Sequence, residues 1–265
     1  MATSQSDISE EGGSTGSPRS FLSEKLMQMK NKIEKPYRFP SAASDGWDPE
    51  TPRFLQEGEF NCYITLASYP RCGNSLLRSL IEQIQGIITG SDTRPDRSLS
   101  VELRKAGLLG EGVVDNSVNI VKTHFPERHG HRYFYTKSVI LLVRNPFDAI
   151  DSYFNMNMTN THNQSVSESQ YERFAEQWEL LVPNELDIWR KFYNFWLKQK
   201  IPLILLRYED LLCHREATLR RLFKFLARTS DLTKTVFEER IQVVLNVHPT
   251  LHILSMRCHL LFPLL

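Results

Sequence analysis

The stretch from Tyr63 to Gln83 constrains the chain most, because it has the pattern of a buried strand, a tight loop and a helix in direct succession. Residues Tyr63 to Ala67 are nearly all apolar or β-branched, which predicts a central strand covered on both faces. The loop runs from Ser68 to Asn74, and helical spacing of leucine and isoleucine begins after Ser75. Unpaired N–H groups and the positive end of the helix dipole would point into the loop. The stretch therefore predicts a cradle for an anion such as phosphate or sulfate.

Taken alone, the loop is compatible with three interpretations. The nucleoside triphosphate pattern G-x-x-x-x-G-K-[ST] is incomplete, because Ser68 replaces its first glycine and Asn74 its lysine. The cysteine phosphatase pattern C-x5-R is satisfied in number by Cys72 and Arg78, with Cys72 as the candidate nucleophile at a helix N-terminus. In the third interpretation the loop only joins a strand to a helix.

Strands and helices alternate along the rest of the chain. Further buried strands are predicted at Asn119–His124, Ser138–Val143 and Pro202–Tyr208. Loops with one short helix are predicted between Gly86 and Gly112, and two helices on either side of Pro183. This alternation predicts an α/β fold of three layers, with a mostly parallel sheet flanked by helices on both faces.

Polar side chains occur where these predicted strands end. Lys122 and His124 lie on the same side of one strand at its carboxyl end, because side chains alternate along a strand. Arg144 follows another strand, and Ser152 lies about two turns into the helix that Pro146 begins. Ligands of open parallel sheets bind at this edge. These residues are therefore candidates for a ligand or catalytic site.

Charge and cysteine content exclude some classes of protein. The 32 Lys and Arg residues nearly balance the 31 Asp and Glu residues, so no overall field favours a nucleic-acid partner or a membrane surface. The four cysteines have no paired or zinc-ligand spacing, which predicts no metal site and fits a reducing compartment. We find neither a secretory signal nor an apolar run long enough to span a membrane. These features predict a cytoplasmic protein.

Composition also divides the chain. Residues 1–58 are rich in Ser, Gly, Pro and Glu and are predicted to be disordered or irregular. Residues 59–230 carry the strand and helix patterns of one domain. Residues 231–265 form an atypical C-terminal tail. The sequence says nothing about oligomeric state.

Four segments, taken in order, resemble the sulfotransferase family. Ser68–Leu77 resembles the family's phosphosulfate-binding loop, and Lys122–His124 its catalytic strand end. Val143–Ser152 resembles its 3′-phosphate segment, and the Tyr-Glu-Asp-Leu run from Tyr208 a later tyrosine motif. The first two segments and Thr89–Ser91 are particularly similar to the sulfotransferase domain of WSC-domain proteins, although no WSC domain is present.

The resemblance implies a P-loop-like fold and 3′-phosphoadenosine 5′-phosphosulfate as donor, without a metal. It implies that His124 is the catalytic base and that Lys122 and Arg71 stabilise charge on the transferred group. The residues it implies for donor binding are Arg71, Cys72, Gly73, Asn74, Ser75, Leu76, Arg144, Ser152 and Tyr208. The expected acceptor is a hydroxyl or amine on a small molecule or glycan.

One departure from the family concerns the end of the chain. The family's late loop, rich in glycine and lysine, is absent after Phe237. A non-catalytic module that binds a nucleotide or anion therefore remains an alternative to an active enzyme.

Overall fold

The computed structural model describes residues 47–59, 62–161, 164–233 and 235–247. The first part of the predicted irregular segment, up to residue 46, and the tail beyond residue 247 lie outside these ranges. Within the described ranges, five strands form one sheet in the order β2-β3-β1-β4-β5, and every neighbouring pair is parallel. The predicted parallel α/β sheet flanked by helices is confirmed.

The strands are β1 (Ile64–Ser68), β2 (Gly90–Ser91), β3 (Ile120–Thr123), β4 (Ser138–Val143) and β5 (Leu203–Arg207). The helices are α1 (Asn74–Gln85), α2 (Ser98–Lys105), α3 (Pro146–Thr159), α4 (Glu168–Arg173), α5 (Ala175–Leu197), α6 (Tyr208–Cys213), α7 (Arg215–Ala227) and α8 (Val236–Val247).

Burial follows the position of each strand in the sheet. All residues of β1 and β3 are buried, as are all but the last residue of β4, because helices cover both faces of the sheet centre. Strand β5 lies at the edge and alternates between buried and exposed residues. The two-residue strand β2 was not predicted, since a strand this short produces no hydrophobic pattern.

Later strands are added first on one side of β1 and then on the other. After β1 the chain moves through β2 and β3 on one side, and after β4 it moves to β5 on the other side. The loops that follow β1 and β4 therefore part and leave a crevice at their carboxyl ends, where open α/β sheets bind ligands. The sequence segments beginning at Ser68 and Arg144 lie on either side of this crevice.

The break predicted at Pro183 is wrong, because α5 is one continuous helix with this proline inside it. An interior proline costs a helix about 3 kcal/mol, a loss that tertiary packing can outweigh. Helix α5 buries Phe192, Tyr193 and Trp196 in the main core. The interruption lies instead at Phe174, between α4 and α5.

Helix α8 lies beyond residue 230, where the sequence analysis placed the start of the tail. It packs against α1 and α7. Phe237, Ile241 and Val244 of α8 are at most 3% exposed and belong to the same core as the central strands. This helix therefore contributes to the core of the sheet domain.

Candidate active site

The loop between β1 and α1 is tightened by two residues with left-handed backbone conformation. Arg71 has φ 65° and Gly73 has φ 88°. Gly73 is the N-cap residue of α1, and no side chain in the described ranges caps it. The first-turn amides of the helix are thus available to a ligand.

Gly73 also lies against an aromatic ring from the segment that follows the edge strand β5. A Cβ atom on Gly73 would lie 2.3 Å from Cδ2 of Tyr208, the first residue of α6. No side chain fits in that space without displacing the ring. The glycine is therefore required by both its conformation and this contact.

Arg71, Arg144 and Ser152 converge at the crevice. The Nε of Arg71 donates a hydrogen bond to Oγ of Ser152 at 2.9 Å. A terminal nitrogen of Arg144 donates to the carbonyl oxygen of Arg71, also at 2.9 Å. The guanidinium of Arg144 lies 4.7 Å from the centre of the Tyr208 ring, a cation–π contact. The structure thus brings together four predicted site residues from three separate segments.

Two positive groups in this crevice repel each other. The pKa of Arg71 is lowered by burial and, to a smaller degree, by the charge of Arg144. Both side chains are only partly buried, so their charge is offered to the crevice. An anion bound between them would relieve the repulsion.

The remaining loop residues differ in their surroundings. Asn74 is buried, and its side-chain amide donates to Oγ of Ser68 at 3.1 Å. Ser75 is partly buried in the first turn of α1, and Leu76 packs partly against the core. Their side chains support the loop, and their backbone amides are the groups that could contact an anion.

His124 follows the end of β3 and lies beside the end of β1. Its Nδ1 is 2.6 Å from the carbonyl oxygen of Ser68, so Nδ1 carries the proton and Nε2 is left as an acceptor. The pKa of His124 is held well below its usual value, first by burial and then by the charge of Lys122. The ring is therefore neutral at pH 7 and has the protonation state of a general base.

Lys122 is buried beside this strand end. Its Nζ donates to Oγ1 of Thr93 at 2.9 Å. Burial lowers the pKa of Lys122, and the negative charges of Asp92 and Glu111 oppose this effect. Asp92 and Thr93 were not predicted as site residues, because the short strand β2 that precedes them has no recognisable pattern. Both come directly after the Thr-Gly-Ser run that resembles the family.

Cys72 and Arg78 do not form a phosphatase site. The thiol of Cys72 is completely buried, lies 3.4 Å from the hydroxyl of Tyr193, and has its pKa raised to about 12 by burial. Arg78 is 1% exposed and forms an ion pair with Glu111, whereas the Cys72 thiol contacts Tyr193. A protonated, inaccessible thiol cannot act as the nucleophile, so this interpretation is wrong.

A second group of residues that the sequence did not reveal surrounds Glu185. This carboxylate accepts hydrogen bonds from Tyr69, which precedes Arg71, and from Arg128, which follows His124. Glu185 lies inside a helix predicted only as core. A single acidic residue within an amphipathic helix carries no signal of such a role.

Comparison with known proteins decides between the interpretations that remain. Residues 63–247 match the model of the sulfotransferase domain, which covers more than half of the chain. The chain belongs to the sulfotransferase family. The match includes all the segments on which the resemblance was based, and it also includes helix α8.

Curated relatives come from the WSCD family. Members from Drosophila pseudoobscura pseudoobscura and Drosophila melanogaster are each 35% identical, over 63% and 61% of this chain. A member from Aedes aegypti is 36% identical over 61% of this chain. These alignments cover 51%, 49% and 49% of the relatives, so the chain spans about half the length of the curated relatives it matches.

Two solved structures align with this chain at lower sequence identity. A mouse sulfotransferase complexed with PAP is 16% identical, with 68% of this chain and 62% of that chain aligned at a TM-score of 0.40. A retinol dehydratase in complex with androsterone and inactive cofactor PAP is 17% identical, with 74% and 66% aligned at a TM-score of 0.43.

The described residues contain neither a helix able to span a membrane nor a group of metal ligands. Within them, no helix combines the length and apolarity required to cross a membrane. Across the same ranges, no group of three or more His, Cys, Asp or Glu side chains is arranged to hold a metal ion.

Proposed function

We propose that the chain transfers the sulfuryl group of 3′-phosphoadenosine 5′-phosphosulfate to a hydroxyl or amine acceptor. The observation that carries this proposal is the hydrogen-bonded convergence of Arg71, Ser152 and Arg144 in the crevice beside β1, with the neutral His124 at the neighbouring strand end. Family membership supports the reaction class, and the contacts support the assignment of roles.

The residues of the crevice fit a donor with two anionic ends. Arg71 and the amides of Gly73 to Leu76 would hold the 5′-phosphosulfate, as helix N-termini hold anions. Arg144 and Ser152 would hold the 3′-phosphate, and Tyr208 would line the nucleotide. The hydrogen bond from Arg71 to Ser152 joins these two subsites. The two cationic groups supply charge that a metal supplies in many nucleotide sites.

His124 would accept the proton of the acceptor through Nε2. Its hydrogen bond to the Ser68 carbonyl fixes the tautomer and directs the ring. Arg71 and Lys122 would stabilise charge that develops on the transferred group and the leaving oxygen. The donor supplies the activated sulfuryl group, so the protein contributes positioning and charge stabilisation.

Two measurements test the proposal. Calorimetric titration with 3′-phosphoadenosine 5′-phosphate should show binding, and Arg144→Ala should weaken it by at least about tenfold, or 1.4 kcal/mol. Transfer from labelled donor should then be screened with carbohydrate, phenolic, steroid and peptide acceptors. Absence of nucleotide binding to the folded wild-type chain would refute the proposed function.

The non-catalytic module that binds a nucleotide or anion is the second candidate. It predicts nucleotide binding without transfer to any acceptor class. We propose a small molecule or a glycan as acceptor. The loops after β2 and β3 and the region following α3 would form its pocket.

A further inference from the structure

One buried carboxylate contacts both halves of the proposed site. Glu185 lies on α5 and is 6% exposed. Its Oε2 accepts a hydrogen bond from the hydroxyl of Tyr69 at 2.6 Å. Both of its oxygens accept from Nη2 of Arg128 at 3.0 Å. Glu185 thereby joins the loop after β1, here called the donor loop, to the segment from His124 to Arg128, here called the His124 segment. The helix α5 that carries Glu185 contributes no residue to the proposed chemistry.

The first contact reaches the donor loop. Tyr69 is fully buried, follows the last residue of β1 and precedes Arg71 by two residues. Its burial and its hydrogen bond to Glu185 both raise its pKa, so the hydroxyl stays protonated and keeps donating. The position of the Tyr69 ring helps to set where the loop leaves the strand.

The second contact reaches the histidine. The backbone N–H of Arg128 donates to the carbonyl oxygen of His124 at 3.1 Å, which closes a turn between them. The Arg128 guanidinium also lies 5.4 Å from the centre of the Tyr153 ring, next in sequence to Ser152. Fixing the Arg128 side chain therefore fixes the segment that begins at His124.

Charge links the same residues. In the described part of the chain, Lys122 on β3 and Arg128 in the following loop are the charged groups that lower the pKa of His124. Tyr69, Arg128 and Tyr153 are the titratable groups that face Glu185 and its ion pair. The negative charge of Glu185 offsets that of Arg128, so it also moderates the effect of Arg128 on His124.

We infer that Glu185 is a positioning residue, which holds the donor loop through Tyr69 and the His124 segment through Arg128. The inference rests on the proposed function. The loops that follow β1 and β3 extend beyond the paired parts of these strands, and loops are more mobile than the elements they connect. A single carboxylate on the packed helix α5 gives both a common anchor.

Three variants separate the two contacts. Tyr69→Phe removes the first contact, Arg128→Gln removes the second, and Glu185→Gln weakens both while keeping the shape of the side chain. Glu179→Gln is the matched control, because Glu179 is exposed on the same helix. For each we would measure affinity for 3′-phosphoadenosine 5′-phosphate, the NMR titration of His124 and the thermal unfolding midpoint.

The expected results differ between the variants. Tyr69→Phe should weaken nucleotide binding by about fivefold, the value of one lost hydrogen bond, and leave the His124 titration unchanged. Arg128→Gln should move the His124 titration to higher pH, because a positive neighbour is lost. Glu185→Gln should weaken nucleotide binding and move the His124 titration to lower pH, because Arg128 loses its counter-charge.

The control should behave as the wild type in all three measurements. A purely structural role for Glu185 would lower the unfolding midpoint and leave both nucleotide affinity and the His124 titration unchanged, and this result would overturn the inference. If the wild-type chain binds no nucleotide, the proposed function fails. The His124 titrations then decide the inference by themselves, since they require neither donor nor turnover.

Discussion

Replacing Gly73 with alanine is expected to test whether the contact with Tyr208 shapes the ligand site. At φ 88° an alanine costs about 1–2 kcal/mol of backbone strain. Its Cβ would also lie 2.3 Å from Cδ2 and 2.5 Å from Cε2 of Tyr208, so the ring must move. Overpacking of this kind costs a further 1–3 kcal/mol or so. The total loss of unfolding free energy should be about 2–5 kcal/mol.

Gly58 provides the matched control for this experiment. It has the same φ of 88°, but an added Cβ would meet nothing within 4 Å. Gly58→Ala should therefore lose only about 1–2 kcal/mol, the cost of the backbone conformation. The difference between the two variants isolates the contact with Tyr208.

Urea unfolding measures the stability difference, and calorimetry with 3′-phosphoadenosine 5′-phosphate measures its consequence for the site. Displacing Tyr208 also disturbs Arg144, whose guanidinium lies 4.7 Å from the ring centre. Gly73→Ala should weaken nucleotide binding by at least about tenfold, while Gly58→Ala binds as the wild type. Equal stability losses in both variants, with unchanged binding, would refute the reasoning.

Three further predictions concern single residues. His124→Asn should abolish transfer and spare nucleotide binding, and retained turnover in this variant would remove His124 from the mechanism. The acidic limb of the wild-type pH profile of transfer should lie below the usual histidine pKa of 6.5, because the ring stays neutral there. Cys72→Ser should retain transfer. The native thiol should resist alkylating reagents at pH 8, since its pKa is raised to about 12. Rapid labelling of Cys72 in the folded protein would contradict the second expectation. Glu111→Gln should lower the free energy of unfolding by about 3–5 kcal/mol, because it leaves the buried Arg78 guanidinium without its ion-pair partner. A loss below about 1 kcal/mol in urea unfolding would show that this ion pair does not stabilise the fold.

Much of the fold follows from local pattern. Strands β1, β3 and β4 are short apolar runs, and such runs are recognisable because both faces of a central strand are buried. Strand β5 has the same apolar run, but it lies at the sheet edge, where Leu205 and Arg207 are exposed. The start of α3 follows from Pro146, with Asn145 as its N-cap accepting from the Phe147 amide at 3.0 Å. The continuity of α5 through its proline does not follow, because core packing overrides local propensity there.

The candidate site was predictable in its composition and not in its connections. Alternation and strand ends predict Lys122, His124 and Arg144 at one edge of the sheet, and the resemblance to the sulfotransferase family adds Arg71. The hydrogen bond from Arg71 to Ser152 spans 81 positions in sequence, and that from Tyr69 to Glu185 spans 116. Such contacts depend on how helices pack across the sheet, which residue types and spacing do not specify. The burial of Cys72 likewise became visible only in three dimensions.

The order of the strands has a consequence for folding during synthesis. Strand β1 is the first of the strands in the described residues, yet it lies at the centre of the sheet between β3 and β4. Its apolar residues therefore remain without strand partners on the ribosome until residues 120–143 have emerged, and such exposure favours aggregation. The crevice forms later still, because the ring that packs on Gly73 belongs to Tyr208. A nascent chain that ends between residues 143 and 208 is therefore expected to have β1 paired with both neighbours and still to lack a complete form of the proposed nucleotide site.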